Sequence, residues 1–142
     1  MMERRRFEVI ALLGFALLTA GLLAWRAGEA APGATYYVAT DGSDLSGDGS
    51  SGTPWATIPH ALDEVPDDSL ILVRPGTYSG QVQLRGTFAQ GVSIRSEIPY
   101  QAQLRHTSTV VTCFYGQGIT LEGFDIAHSG PGAGALVIQI QD

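Results

Sequence analysis

Three aspartates, Asp41, Asp44 and Asp48, lie close together in a Gly- and Ser-rich stretch of the 142-residue chain. Hard cations such as Ca²⁺ bind several carboxylate and carbonyl oxygens that a flexible loop presents. Asp44 and Asp48 match the beginning of an EF-hand loop, but its twelfth position is Trp55, where a bidentate Glu is required. The sequence therefore offers Ca²⁺ binding by these aspartates as one hypothesis, and turn formation by the same side chains as the other.

Four arginines end short apolar runs at nearly regular spacing. They are Arg74, Arg85, Arg95 and Arg105, and two successive intervals between them would make one structural repeat. This repeat predicts that Arg74 stacks on Arg95 and that Arg85 stacks on Arg105. A guanidinium group binds a carboxylate through two parallel hydrogen bonds, so aligned arginines could hold a polymer of uronate sugars. The alternative is that each arginine pairs with a surface acid and contributes little.

Two further polar residues, Asp125 and His128, follow an apolar run near the end of the chain. Glycoside hydrolysis needs two carboxyl groups on either side of the bond, and only Glu122 lies near Asp125 in sequence. His128 has the side chain of a general base. We retain both residues as candidate ligand contacts, beside the alternative that they are ordinary surface residues.

The elements that position these side chains show the two-residue period of strands. From Leu70 onward, short apolar runs alternate with turn residues, and Gly91-Val-Ser-Ile is echoed further along the chain by Gly118-Ile-Thr-Leu. Alternate residues are predicted to point inward. They are Val82, Leu84, Val92, Ile94, Ile119, Leu121, Phe124 and Ile126. Recurring short strands favour stacked coils, and a β-sandwich is the competing architecture.

One short helix is predicted before these strands. Thr57 is a good N-cap, and Pro59 fits only the first turn of a helix. Ile58, Ala61, Leu62 and Val65 then share one face. A strand is also predicted at residues 36–38, upstream of the Asp-rich loop.

Residues 1–30 have the pattern of an export signal or an N-terminal membrane anchor. Three arginines at positions 4–6 precede an uncharged run at positions 9–25. This run is long for a cleaved signal and at the short limit for a membrane span, so both alternatives stay open. In either case the rest of the chain is exported, which predicts an extracytoplasmic domain over residues 31–142. Contact with a membrane is expected only through residues 9–25, if the leader is retained.

The remaining composition excludes several classes of function. Beyond residue 30, four Arg and eleven acidic residues leave a net charge of −7, which disfavours nucleic acid and anionic membranes as partners. Cys113 is the only cysteine, so no internal disulfide and no Cys-rich zinc site can form. The chain contains no Lys, so only an Arg could provide a basic side chain of that type.

Four segments resemble secreted right-handed parallel β-helix proteins of the pectate-lyase-like superfamily. Tyr-Tyr-Val-Ala-Thr-Asp-Gly (36–42), Gly-Thr-Pro-Trp-Ala-Thr-Ile (52–58) and Ile-Leu-Val-Arg-Pro-Gly-Thr-Tyr (71–78) resemble the N-terminal segment of such proteins. Gly-Ile-Thr-Leu-Glu-Gly-Phe-Asp-Ile (118–126) resembles one of their regular coils. Asp67 departs from the pattern, since the family often has Gly there, and we expect this difference to affect turn geometry only.

The resemblance implies an all-β fold: a right-handed parallel β-helix, or solenoid, whose open end is covered by the short N-terminal helix. It also implies that the chain is a fragment of a longer β-helix, because members usually have many coils. Lyases of this superfamily abstract a proton with an Arg or Lys beside a carboxylate that Ca²⁺ or basic groups neutralise.

Two functions follow from the resemblance. The first is a monomeric protein that binds or cleaves polysaccharide, with uronate-containing polymers as candidates and any lyase-like catalytic residues beyond residue 142. The second is a non-catalytic extracellular β-helix that binds glycans or belongs to the cell envelope. Whether the chain is an enzyme stays open, because the sequence contains no complete catalytic constellation.

Overall fold

Short strands dominate the protein in the computed structural model, which describes residues 33–131 and 138–141. Within these residues one helix and ten strands are formed. They are β1 (Thr35–Val38), α1 (Ile58–Glu64), β2 (Leu70–Val73), β3 (Gly76–Ser79), β4 (Val82–Leu84), β5 (Thr87–Ser96), β6 (Ala102–His106), β7 (Val111–Phe114), β8 (Gln117–Glu122), β9 (Asp125–His128) and β10 (Ile138–Gln141). The prediction of a mostly β chain with one short helix is confirmed.

The strands form three parallel sheets. The first sheet has the order β1-β2-β5-β8, the second β3-β6-β9, and the third β10-β7-β4. From β2 onward, successive strands of the chain therefore join the first, second and third sheets in turn, and each pairs with the strand three places later. Every pairing between described strands is parallel, which excludes the competing β-sandwich built from antiparallel sheets.

The repeat is longer and less regular than the arginine spacing predicted. Leu70 pairs with Ser93, Gly76 with Ala102 and Val82 with Val111. Each of these offsets exceeds the interval from Arg74 to Arg95, and the offset grows from the first sheet to the third. The prediction of a repeat made of two steps was wrong because each repeat contains three strands and three corners of variable length.

The echo between two glycine-led segments is confirmed as a true structural repeat. Val92 pairs with Ile119 and Ser93 with Thr120, the same register that aligns Gly91 with Gly118. Gly91 and Gly118 both have a positive φ, of 89° and 70°, in the left-handed region that favours glycine. A Cβ on Gly118 would lie 2.0 Å from the carbonyl oxygen of Phe88, so only glycine fits at this position.

The interior follows the predicted alternation. Val82, Leu84, Val92 and Ile94 are buried, while the neighbouring Gln83 is exposed. The predicted inward residues of β8 and β9, together with Phe124 just before β9, are partly buried and pack against the same core. Parallel register stacks the apolar side chains of successive strands on one another, so one continuous core runs through the three sheets.

The helix forms as predicted, and its caps explain its limits. The hydroxyl of Thr57 accepts a hydrogen bond from the backbone N–H of His60 at 3.3 Å, and Pro59 lies in the first turn. Ile58, Ala61 and Leu62 are buried, and the N–H of Val65 closes the last turn. The buried face packs against β1 and β4, the first strands of the first and third sheets.

The predicted leader and the membrane segment at residues 9–25 lie outside the described residues. Over the part of the chain that the structure describes, no helix is long and apolar enough to span a membrane.

Candidate binding site

The outer face of the first sheet gathers polar side chains from successive strands. Because Ile71 and Ile94 point inward, the residues on either side of them point outward. Two outward rows cross the four strands. One row is Thr35, Leu70, Ser93 and Thr120, and the other is Tyr37, Leu72, Arg95 and Glu122. The sequence correctly predicted that Ser93 and Thr120 face outward, but it did not identify them as site residues.

A cavity of about 370 Å³ lies on this face. Its lining includes Leu70, Gln90, Ser93, Arg95 and Thr120. Ser93 and Thr120 lie directly opposite each other on adjacent parallel strands. Neighbouring strands in a sheet are about 4.8 Å apart, so the two hydroxyl groups are held close together. The cavity therefore combines hydroxyl, amide and guanidinium groups with the carboxylate of Asp68 on a preformed surface, a composition typical of sites for polar ligands.

Arg95 keeps most of its hydrogen-bonding capacity in this cavity. One of its terminal nitrogens, Nη2, contacts Glu122 Oε2 at 3.3 Å, and the two side chains are 49% and 56% exposed. Such a long contact between exposed groups contributes little to stability. A guanidinium group has five N–H donors, so Arg95 can bind a carboxylate without first giving up a strong ion pair.

Asp67 binds the backbone of Gln90, one of the residues that line the cavity. Its two carboxylate oxygens accept the backbone N–H of Gln90, at 2.9 and 3.0 Å. This hydrogen bond from Gln90, with smaller contributions from the N–H groups of Asp68, Ala89 and Gly91, lowers the pKa of Asp67. Asp67 thus joins the turn before β2 to an irregular stretch of β5. The expectation that this residue affects only its own turn was wrong, because its acceptor groups reach a residue 23 positions later.

The other predicted arginines do not stack into files. Arg95 pairs in register with Leu72, not with Arg74, which lies two positions further along and follows β2. Arg85 follows β4 of the third sheet, whereas Arg105 belongs to β6 of the second sheet. The predicted stacking was wrong because it assumed two strands per repeat. Of the four arginines, Arg95 alone is among the described residues lining this cavity.

Two of these arginines hold loops and the helix in place. Arg74 donates to the carbonyl and hydroxyl of Ser51, at 2.6 and 2.9 Å, and its guanidinium lies 5.4 Å from the ring centre of Tyr37. Arg85 donates two hydrogen bonds to Asp63 of α1, at 3.1 and 2.6 Å. These bonds lower the pKa of Asp63 and raise the pKa of Arg85.

Arg105, Asp125 and His128 lie on the second sheet. Arg105 Nη2 donates to Asp125 Oδ2 at 2.6 Å, and Nη1 donates to the Asp125 carbonyl at 2.8 Å. His128 Nε2 lies 2.7 Å from the carbonyl of Thr107, while its Nδ1 accepts the N–H of Gly130 at 3.2 Å. The sequence suggested each of these residues as a candidate independently of the others. In the structure Arg105 and Asp125, which are 20 positions apart in the chain, are hydrogen-bonded to each other. Their predicted role in ligand binding remains a prediction.

The three aspartates predicted to bind Ca²⁺ do not converge. Asp44 accepts the N–H groups of Ala56 and Thr57, at 2.7 and 3.1 Å, and the Thr57 hydroxyl at 2.7 Å. Asp48 accepts the Thr53 hydroxyl and the N–H of Ser50. Across residues 33–131 and 138–141, no group of three or more His, Cys, Asp and Glu side chains, Asp41 included, could hold a metal ion.

Comparison with known proteins identifies no family for this chain. No protein-family model, no curated protein and no solved structure matches it. The resemblance to the pectate-lyase-like superfamily therefore stays a prediction. Support for a function comes from the chemistry of the described residues.

Proposed function

We propose that the described residues form the first coils of a right-handed parallel β-helix. The regular rotation of the chain through three parallel sheets supports this architecture. The right hand is proposed from the general rule that crossovers between parallel strands of one sheet are almost always right-handed. The helix α1 would then cap the first coil by covering the edges of β1 and β4.

We further propose that the outer face of the first sheet binds an exported or cell-surface polysaccharide, within an extracytoplasmic domain. The observation that carries this proposal is the 370 Å³ cavity, in which Arg95 lies beside Ser93 and Thr120 on a rigid sheet. Sugars offer many hydroxyl groups, and aligned Ser and Thr hydroxyls can both donate to them and accept from them.

The guanidinium group indicates which polysaccharides would bind best. An acidic residue of a uronate polymer offers a planar carboxylate, which Arg95 could hold through two hydrogen bonds. Leu70 lies in the same outward row as Ser93 and can contact the apolar face of a sugar ring. The Arg95–Glu122 ion pair is weak and exposed, so Arg95 would release Glu122 and bind the carboxylate of the sugar instead.

We propose binding without turnover as the activity of these coils. Asp125 is already engaged by Arg105, and Glu122 is shared with Arg95. Hydrolysis of a glycoside requires one carboxyl group to donate a proton while another acts on the opposite side of the bond. The hydroxyl and amide groups of this face supply hydrogen bonds, and Arg95 supplies a positive charge beside the carboxylates of Glu122 and Asp68, a set of groups that suits recognition.

Affinity electrophoresis of the purified chain in gels containing polygalacturonate, alginate or neutral dextran tests this proposal. We expect retardation by the two uronate polymers, weaker at higher salt because screening reduces the contribution of Arg95. Equal mobility in all gels would overturn the proposal. Unsaturated uronate products are detected by their ultraviolet absorbance. Their release would show that the chain is a lyase and would overturn the proposal of binding without turnover.

The matched variants are Arg95→Gln and Arg85→Gln. Both arginines are exposed and both pair with an acid, but only Arg95 is among the residues lining the cavity. We expect Arg95→Gln to lose most of the retardation and Arg85→Gln to keep it. Equal losses would show that binding depends on overall charge.

A further inference from the structure

One strand at the capped end of the fold has an open edge. In the first sheet β1 pairs with β2, and in the third sheet α1 packs against β4. The first strand of the second sheet, β3, pairs with β6 on one side only, and no described strand pairs with its other edge. An unpaired edge presents backbone donors and acceptors to any extended chain.

The hydrogen bonds of β3 show which backbone groups point to the open side. The N–H of Gly76 donates to the backbone carbonyl of Gln101 at 3.0 Å, and the N–H of Gly80 donates to the backbone carbonyl of Arg105 at 2.9 Å, both on the side of β6. Backbone groups of successive strand residues alternate between the two edges. The N–H and C=O groups of Thr77 and Ser79 therefore point away from β6.

A second cavity, of about 280 Å³, borders this open edge. Thr77 and Ser79 line it from β3, and Thr40 and Thr57 also line it. Ala56 and Pro59, both partly exposed, contribute apolar surface. The site is separate from the 370 Å³ cavity, with which it shares no lining residue.

The chemistry of this second cavity favours an uncharged ligand. None of the described residues that line it carries a charge, so a charged group entering it would lose water without gaining an ion-pair partner. The free backbone groups of Thr77 and Ser79 repeat about every 6.6 Å, twice the rise of about 3.3 Å per strand residue. An extended peptide repeats its own N–H and C=O groups at that same interval.

We propose that β3 binds a short, uncharged, extended peptide segment, which adds a strand to the open side of the second sheet. Thr77 and Ser79 exchange backbone hydrogen bonds with the peptide, and one small apolar side chain of the peptide contacts Ala56 and Pro59. This mode of recognition obtains affinity from main-chain hydrogen bonds and selectivity from the pocket for a side chain. It does not depend on the proposed polysaccharide site.

Residue-resolved amide hydrogen exchange on the full chain tests the proposal. The probe is acetyl-Thr-Val-Thr-Val-Thr-amide, and the control peptide carries N-methyl groups on both valines, which removes two donors. We expect the first peptide to slow exchange at Thr77 and Ser79 in a saturable manner and the methylated peptide to have no such effect. Equal effects of both peptides would overturn strand addition.

Two variants at one position separate backbone pairing from other contacts. Ser79→Pro removes the N–H at the open edge without removing a bond to β6, whereas Ser79→Ala keeps that N–H and loses only the hydroxyl. We expect about tenfold weaker peptide binding for Ser79→Pro, the loss of one backbone hydrogen bond, and little change for Ser79→Ala. Circular dichroism checks the fold of both, and the methylated peptide remains decisive if Ser79→Pro does not fold.

Other outcomes would also overturn the proposal. Protection confined to β8 or β9 would place the peptide at the other end of the sheets. Slowed exchange of Thr77 and Ser79 with methyl glucoside, but not with the peptide, would make the cavity a sugar site. No change at these amides with the unmethylated peptide at saturating concentration would show that the open edge binds no strand.

Discussion

The carboxylate of Asp67 receives the backbone N–H of Gln90 on both of its oxygens, at 2.9 and 3.0 Å. Asp67 lies in the turn before β2, whereas Gln90 belongs to β5 and lines the cavity proposed to bind polysaccharide. β5 is irregular here, since its register with β8 shifts between Thr87 and Val92. A charged acceptor can hold such a segment because hydrogen bonds to ionised groups are the stronger ones.

Replacing Asp67 with Asn should loosen this connection. The amide offers one acceptor oxygen and no charge, so we expect faster hydrogen exchange at Gln90 and a lower midpoint of urea unfolding. The lowered pKa of Asp67 means that its stabilising effect is present above the ordinary carboxyl range and is lost as pH falls through the folded-state value. The difference between wild type and Asp67→Asn should therefore shrink at acid pH.

Asp68→Asn is the matched control for this experiment. Asp68 has a φ of 62°, a conformation that Asn also adopts readily. We expect exchange at Gln90 to stay unchanged in this variant. An Asp67→Asn protein with wild-type exchange at Gln90 would contradict the proposed role of the carboxylate.

The N-cap of α1 should make a measurable contribution to stability. Thr57→Ala removes both the acceptor for His60 and the donor to Asp44. We expect the free energy of unfolding to fall by about 1 kcal/mol in urea titrations, the usual cost of losing such a cap. Thr57→Ser keeps the hydroxyl and should recover most of this loss, whereas equal destabilisation by both substitutions would point to the lost methyl group.

The inner strand β5 of the first sheet should tolerate truncation of its buried side chains poorly. Ile94 is fully buried and pairs in register with Ile71 and Leu121 on the two neighbouring strands. We expect Ile94→Ala to reduce the free energy of unfolding by about 2–5 kcal/mol, because the cavity it leaves cannot collapse between three paired strands.

A second isoleucine close in sequence provides the comparison. Ile98 is 47% exposed in the corner after β5, and Ile98→Ala should change stability by no more than about 0.5 kcal/mol. A similar cost for the two variants would mean that the inward alternation is not what stabilises the fold.

Asp48 of the Asp-rich loop should titrate at unusually low pH. Hydrogen bonds from the Thr53 hydroxyl and from Ser50 lower the pKa of Asp48 to about 2. The loop is therefore stabilised by ionised Asp48 above pH 3.8, the ordinary value, and this effect is lost as pH falls toward 2. Carbon-13 NMR of the carboxyl group should show the transition directly.

Thr53→Val tests the cause of this shift. The substitution removes the hydroxyl while keeping the shape of the side chain, so the pKa of Asp48 should rise toward its ordinary value. An unchanged pKa in Thr53→Val would exclude the hydroxyl as the main cause. Addition of Ca²⁺ to the wild-type protein during the same titration tests the calcium hypothesis independently.

The local features of this fold could be predicted because they depend on neighbouring residues. Alternation identified Val92 and Ile94 as inward, and the cap and proline signals placed the start of α1 next to its observed first residue. Two glycine-led segments also indicated a repeat, which the register of Val92 with Ile119 confirmed. Each of these signals is a pattern that the local backbone geometry imposes on the chain.

The register between coils could not be predicted in the same way. Corners of different length make the offset along the chain vary between pairs of strands from β2 onward, so a fixed spacing of arginines did not translate into a stacked file. For the same reason the sequence named Arg105 and Asp125 as separate candidates, although their side chains form an ion pair at 2.6 Å.

By itself the amino-acid sequence determined the two-residue alternation, the capped helix α1, and the acidic balance beyond residue 30. Only the tertiary structure decided which strands lie side by side, and with that the partners of Asp67, Arg95 and Arg105 and the open edge of β3. The physical reason is that alternation and capping arise from bonds between near neighbours in the chain. Pairing between coils depends instead on the number of residues in each corner, that is, in the segment that connects one strand to the next.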